Sequence, residues 1–442
     1  MTVSGNHSDF LTSRRGTVDA TTVLTVYLTL LLAIPSAMVV GPLGSAGAPS
    51  TIMAIGILFW WAWSHIQRNR SLTIGFQPVR AAMLGWLIVM LAVYAHAMSS
   101  PIPFDEISPA DSGMLKLIGM AGVLLVANDG IPNLERYRVL LRRMVIAAGI
   151  IALFGLIQYI TRQLFVDRIQ IPGLTGTLTD AGVIVRSGFA RPSGTSTHPI
   201  EYGVVLTMIL PLAITYAFKS PSRRWLYRGV LCAITFAVFL SISRSAVLCA
   251  VAGLVVLAIS WSNAARLRLI AFMIVIGTVV YLTVPGLLGA VTALFTGATE
   301  DSSVASRTGS YDIVGHFIST SPILGRGFGT FLPKYWILDN GYLGMLIDGG
   351  ILGFAGLVTL IVAAGFAARL AHHTAVNEFD RDIGQAMLAS IAAGACGLAF
   401  FDTFGFPQSA GVFFLLLGVA GAARRLVLVE ATIDRTPRVI AQ

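Results

Sequence analysis

Charge is what this chain has least of. Only 12% of its 442 residues are Asp, Glu, Lys or Arg, against roughly 25% in an ordinary globular protein. A soluble surface cannot be covered with so few. Lysine is almost missing, with three against 27 arginines, and abundant Ala and Gly beside that imbalance point to a GC-rich bacterial coding sequence. Cysteine is scarce as well. Cys232, Cys249 and Cys396 all fall inside apolar runs, with no paired spacing and no histidine at metal-ligand distance, so neither a disulfide framework nor a zinc site is expected. Internal repeats, low-complexity stretches and a second domain are also missing.

What fills the chain instead is apolar: 55% of residues are hydrophobic. Runs near Thr22–Gly41, Thr51–His65, Ala82–Met98, Gly113–Ala127, Met144–Ile160, Ile200–Phe218, Trp225–Ser241, Ser245–Trp261, Leu269–Val284, Asn340–Ala368, Ile383–Phe401 and Ala410–Leu426 approach the length of a bilayer-spanning helix, about 20 residues. The pattern predicts an all-α, polytopic transmembrane bundle of about 12 helices. The first run follows some twenty polar residues and has no small-residue cleavage pattern after it, so it reads as a retained anchor.

A net charge of +9 raises the question of nucleic acid, which the distribution of the charge answers. With the N-terminus in the cytoplasm, 21 of the 30 Lys and Arg residues fall on inside segments, including the clusters Arg68, Arg70, Arg80 and Arg136, Arg138, Arg142, Arg143. That is the positive-inside bias of a membrane protein with both termini cytoplasmic, and nucleic acid is not an expected partner. The expected organisation is a cytoplasmic tail at 1–21, one transmembrane domain over 22–428 and a cytoplasmic tail at 429–442, in a bacterial cytoplasmic membrane.

Nine cations remain outside, and seven of them, Arg162, Arg168, Arg186, Arg191, Arg307, Arg326 and Lys334, sit in two long connections at 161–199 and 285–339. Connections of that length are usually functional or disordered. Within the second, between helices 9 and 10, Ser306–Thr320 reads as a short amphipathic helix with Ser306 as N-cap, lying on the outer membrane face. Pro322–Phe331 (PILGRGFGTF) follows as a glycine-rich turn where backbone can approach a ligand.

Positive charge kept outside opposes the topology bias, and an anionic substrate is one reason to keep it. Arg244, in the short turn SISRSA, is the sharpest case: a guanidinium fork matches phosphate, with Ser243 and Ser245 as added donors, although an arginine snorkelling to headgroups fits equally. Arg307 begins SRTGSYDI and on a helix shares a face with Tyr311; alone it reads more simply as an interfacial charge. Arg191 leads RPSGTSTHPIEYG into a helix with Glu201 in its first turn, either a substrate-lining loop or an ordinary helix start at Thr197 or His198. Asp339 and Asn340 open DNGYLGMLIDGGILG. Asp339 is either a base for a sugar hydroxyl or a helix cap. Asp348, two turns on, is an acid at membrane depth, either functional or a contact to a neighbouring helix.

In their order and spacing, RPSGTSTHPIEYG, SISRSA, SRTGSYDIVGHF with SPILGRGFGTF, and DNGYLGMLIDGGILG resemble the bacterial O-antigen ligase and polymerase superfamily. These are polytopic enzymes that move glycans off polyprenyl diphosphate carriers. The likeness is good over Arg191 to Gly353 and elsewhere rests on topology. It implies that Arg244 and Arg307 bind the donor diphosphate, with Arg191, Asn340, Tyr311 and Arg326 in supporting substrate contacts, and that no metal or other cofactor is needed because arginines stabilise the leaving group. Ligases of the family carry His-Asn where this chain has Asp339-Asn340. With Asp339 in the base's role, the departure favours a polymerase or a surface-polysaccharide ligase with an acceptor other than lipid A.

The implied function is a metal-independent, integral-membrane glycosyltransferase at the outer face. Its partners are a polyprenyl-diphosphate-linked glycan, a glycan or lipid acceptor, membrane lipid and polysaccharide-assembly proteins. The alternatives are a transporter or flippase for a lipid-linked anion, for which broken helices and ionisable residues at mid-depth are the signs and Lys116, Asp348, Glu201 and Asp402 the candidates, and a membrane scaffold, which has no need of Arg244.

Overall fold

A computed structural model of the chain describes residues 19–67, 75–176, 184–186, 188–220, 222–284, 286, 289, 292 and 302–435. Most of the expected N-terminal tail, Arg68, Arg70, the end of the C-terminal tail and most of 285–301 lie outside the described residues. Among them are thirteen α-helices: α1 (Ala20–Ala33), α2 (Pro49–Gln67), α3 (Pro78–Ser99), α4 (Phe104–Gly130), α5 (Leu134–Thr161), α6 (Pro199–Lys219), α7 (Arg224–Leu240), α8 (Arg244–Ile259), α9 (Asn263–Thr283), α10 (Ser302–Thr320), α11 (Gly341–Thr374), α12 (Glu378–Leu398) and α13 (Pro407–Arg435). Twelve coincide with the apolar runs, and α10 lies in the long connection. Seven, α3, α4, α5, α6, α9, α11 and α13, are long and apolar enough to cross a membrane, and α1 and α8 are shorter apolar helices. The chain is a multi-pass helical membrane protein.

Several boundaries differ from the sequence expectation. The run to Gly41 stops being helical at Ala33, because the residue before Pro35 is pushed out of the α region. Met38–Val39 then form a two-residue antiparallel ladder with Thr175–Gly176, and Val185–Arg186 pair with Phe189–Ala190. α10 begins at Ser302, so Ser306 is an interior residue and not its N-cap. α13 continues beyond the apolar run to Arg435, because no proline or glycine lies between Leu426 and Arg435.

α6 and α13 are buried almost all round and form the centre, whereas α9 is mostly exposed and peripheral. Exposed apolar side chains such as Ile274, Leu282, Val362 and Phe366 form the surface that lipid tails would cover. One end of the bundle is tied by arginines. Arg136 of α5 pairs with Asp19, the N-cap of α1, at 2.6 Å, Arg138 pairs with Asp380 of α12, and Arg425 of α13 donates to Asn128 O and Ile131 O at 3.0 and 2.6 Å. Asp19 loses hydration on burial, yet the Arg136 and Thr22 hydrogen bonds prevail and pull its carboxyl down to about 2. The candidate residues gather at the opposite end, where α6, α8, α11 and α13 begin.

Candidate functional site

The glycine-rich PILGRGFG segment is locked into a break in α11. Gly350 sits at φ 62°, ψ −166° inside that helix, a conformation essentially confined to glycine, and the helical ladder is interrupted there. An interruption at membrane depth leaves backbone groups that lipid cannot satisfy, and the loop supplies the partners. Arg326 N donates to Ile347 O at 3.0 Å and Gly327 N to Asp348 O at 2.9 Å, while Ile351 N and Leu352 N donate to Pro322 O and Ile323 O at 2.9 and 3.2 Å. The fit excludes a side chain on either strand of the contact. A Cβ on Gly350 would lie 2.3 Å from Ile323 O, and one on Gly325 2.4 Å from Asp348 O.

Asp348 of this interlock, together with Phe328, Gly329 and Phe331 just after it, lines a cavity of about 590 Å³, in the size range of ligand pockets, at the start of α11. Its charged lining comes from three elements: Asp339 and Asp348 from α11 and the turn before it, Asp402 from the α12–α13 turn, and Lys116 from α4. Phe331, Trp336 and Phe404 add rings. Burial raises the Asp402 carboxyl, and the nearby Asp339 charge adds to the rise, against the opposing pull of the Gly405 and Phe404 amides and Lys116. Asp348 is 9% exposed; its Oδ2 accepts from Gly329 N at 2.8 Å, and its Oδ1 is buried without a hydrogen-bond partner among the described residues. In the sequence Lys116 and Asp402 stood out only as ionisable groups in apolar runs, a signal that did not say they share a cavity with Asp339.

The two readings of the Asp339-Asn340 pair separate in the structure. Asn340 is the N-cap of α11, its Oδ1 accepting from Tyr342 N and Leu343 N at 3.0 and 3.1 Å. Asp339, the residue before the cap, lines the cavity.

Arg191 and Arg244 meet at the α7–α8 turn. Arg191 Nε donates to Ser241 O at 2.8 Å, and its Nη2 is buried with no partner among the described residues. Burial, and then the neighbouring Arg186, push its guanidinium down to about 10. Arg244 is the first residue of α8 and 9% exposed, with Ser243 as N-cap. A cation there opposes the helix dipole, a cost that a bound anion would offset. The turn also holds the fully buried Ile242 at φ 43°, a conformation that costs a β-branched residue about 1–3 kcal/mol. Ser245 Oγ donates to Phe400 O at 3.4 Å. Because Gly341 N donates to Phe401 O at 3.2 Å, the 400–402 turn ties the arginine turn to the cavity rim. Next to it, His198 caps α6 through Nδ1, which accepts from Ile200 N at 3.1 Å. Burial and the Arg191 charge push its imidazole down to about 4, so the neutral form that can accept persists at pH 7.

The remaining expected site residues are dispersed. The Arg307 side chain lies outside the described residues; its backbone is in the second turn of α10. Tyr311, one turn on, is 59% exposed and does not line the cavity. Arg326 is engaged structurally: its Nη2 donates to Glu106 Oε1 and Oε2 at 3.2 and 3.1 Å, and its guanidinium lies 4.7 Å from the Phe317 ring centroid. That geometry clamps the loop to α4; no spacing in the sequence pairs Arg326 with Glu106.

Glu201 is likewise a builder of the site. Fully buried, it accepts from Thr197 N and Oγ1 at 3.0 Å each and from Gln408 N at 2.7 Å, joining the 191–198 loop to the first turn of α13. Replacing Glu201 with Ala leaves those donors unsatisfied and should destabilise the protein by ~3 kcal/mol. Glu201→Gln, which keeps one acceptor, should cost clearly less, both read as melting in detergent.

Residues 229–358, from α7 through the break in α11, match the family model described as O-Antigen ligase. The matched span holds Arg244, Arg307, Asp339 and Asp348, and it supports the O-antigen ligase and polymerase superfamily and an O-antigen-ligase-like membrane role in polysaccharide biosynthesis. No curated protein matches the chain.

Proposed function

We propose that this O-antigen-ligase-like membrane protein is a metal-independent glycosyltransferase that takes glycan from a polyprenyl diphosphate carrier at the outer face of the cytoplasmic membrane. An acceptor sugar in the cavity presents a hydroxyl to Asp339, which takes its proton as the oxygen attacks the anomeric carbon of the donor. The bond from that carbon to the diphosphate oxygen breaks, and the leaving diphosphate keeps the electron pair. Arg191, Arg244 and Arg307 hold its charge, the term that usually contributes most to such a step. The lipid tail lies between helices.

The observation that carries this reading is the arrangement at the start of α11: Asn340 makes the cap, and Asp339 beside it lines a cavity whose rim is tied to the arginine turn. A broken helix also belongs to the transporter alternative, but here the free groups at the break are taken by the 322–327 backbone and not left for an ion.

Purified protein incubated with a synthetic polyprenyl diphosphate oligosaccharide, with and without acceptor, tests the proposal. Lengthened chains identify a polymerase and single transfer a ligase, while unchanged donor refutes both. In the same assay Asp339→Asn should lower transfer by about 10²-fold or more with melting unchanged. Asn340→Ala should instead cost ~1 kcal/mol of stability, as a lost cap does.

A further inference from the structure

The cavity is acidic although the donor is an anion. Three carboxylates, Asp339, Asp348 and Asp402, face a single ammonium, Lys116, while Arg191 and Arg244 sit at the α7–α8 turn and do not line the cavity. One carboxylate oxygen has no assignment in the proposed reaction. Asp348 lines the cavity, its Oδ2 accepts from Gly329 N, and its Oδ1 is buried with no hydrogen-bond partner among the described residues. A buried acceptor left unmade costs free energy, and a ligand that donates to it recovers that cost. The rings of Phe331, Trp336 and Phe404 offer the flat apolar faces on which sugar C–H groups pack.

We infer that this cavity selects acceptor glycans built of neutral or amine-bearing sugars and excludes uronic-acid or phosphorylated ones, with Asp348 Oδ1 accepting a hydrogen bond from a sugar hydroxyl or ammonium. The physical basis is that a further anion placed among carboxylates at close range is repelled strongly in a site of low effective dielectric, whereas a hydroxyl or ammonium donor is attracted. Lys116 offsets only part of the negative charge. Asp348 is thus a specificity-determining residue, distinct in role from Asp339. The inference rests on the cavity being the acceptor site.

The test is equilibrium binding, without donor, of three matched disaccharides to the full-length protein in detergent: glucosyl-glucose, glucosaminyl-glucose and glucuronosyl-glucose. The first two should bind, with the uronate at least about tenfold weaker. Asp348→Asn keeps an oxygen for Gly329 N and removes the charge, and it should narrow the gap to roughly threefold or less. Lys116→Met should widen it. Equal affinity for the uronate in the unmodified protein, no binding of the neutral disaccharide, or a full gap retained in a normally melting Asp348→Asn protein would each overturn the inference. Because binding is read without donor, discrimination here beside unchanged donor in the transfer assay would refute the glycosyltransferase and leave the charge selectivity of the cavity standing, and transfer in that assay without discrimination here would do the reverse.

Discussion

Arg244→Ala should reduce glycan transfer by about 10²–10³-fold, the usual consequence of removing one preorganised donor from a developing anion, while the protein still inserts and melts normally. Arg244 is positioned for this at some cost: it begins α8, where the dipole disfavours a cation, and the turn that presents it holds Ile242 in the left-handed region. Arg244→Lys keeps the charge and loses the fork, so it should recover only part of the activity. Arg326→Ala is the informative contrast. It strips the cationic partner from the fully buried Glu106, which keeps, among the described residues, only the Tyr335 hydroxyl as a side-chain donor, and should reduce stability without a specific loss of donor affinity. Transfer assays and melting on the same preparations separate the two outcomes, and wild-type transfer by a well-inserted Arg244→Ala protein would remove this arginine from the site.

The second large effect concerns the backbone. Gly350→Ala should destabilise the protein by about 4 kcal/mol, from the combined cost of a glycine-only conformation and of overpacking against the Ile323 carbonyl. Gly325→Ala should act in the same way from the other side of the contact, since its Cβ would meet the Asp348 carbonyl and its φ is 67°. Gly277 of α9 has nothing within 4 Å of an added Cβ, so Gly277→Ala should be neutral or slightly stabilising by helix propensity. Because the interlock holds the cavity-lining Asp348 against Gly327 N and Gly329 N, any residual folded Gly350→Ala protein should also transfer poorly. A Gly350→Ala protein that melts like the parent would show that α11 tolerates a regular ladder there.

Hydropathy made the twelve apolar helices legible, because a helix that buries or exposes apolar residues to lipid must be apolar along its length. The short turn carrying Arg244 was readable for the same reason: two apolar runs separated by a few residues leave an arginine nowhere else to be. Less was visible wherever the partner was distant in sequence. Asp339 and Asn340 are both good caps by residue type, and only the geometry shows that Asn340 takes the role. The bond of Arg326 to Glu106, 220 residues away, follows from no spacing in the sequence. The glycines of PILGRGFG suggested close approach to a ligand, whereas the close approach observed is to the broken backbone of α11. Glu201 was weighed as a residue at helix-dipole distance from its own helix, but it also caps the start of α13 through Gln408 N. Cys249 and Cys396, unpaired by spacing, have their thiols in hydrogen-bonding contact between α8 and α12.

The proposed reaction divides the site in two parts: an arginine turn for the diphosphate, and an acid-lined, aromatic cavity for the acceptor. The measurement that separates the parts is the single-turnover transfer rate as a function of donor concentration for the unmodified protein, Arg244→Ala and Asp339→Asn. A two-part site predicts that Asp339→Asn keeps the half-saturating donor concentration and loses the plateau rate, while Arg244→Ala raises the half-saturating concentration and lowers the plateau. A parental plateau in Asp339→Asn, or parental behaviour in both variants, would contradict it.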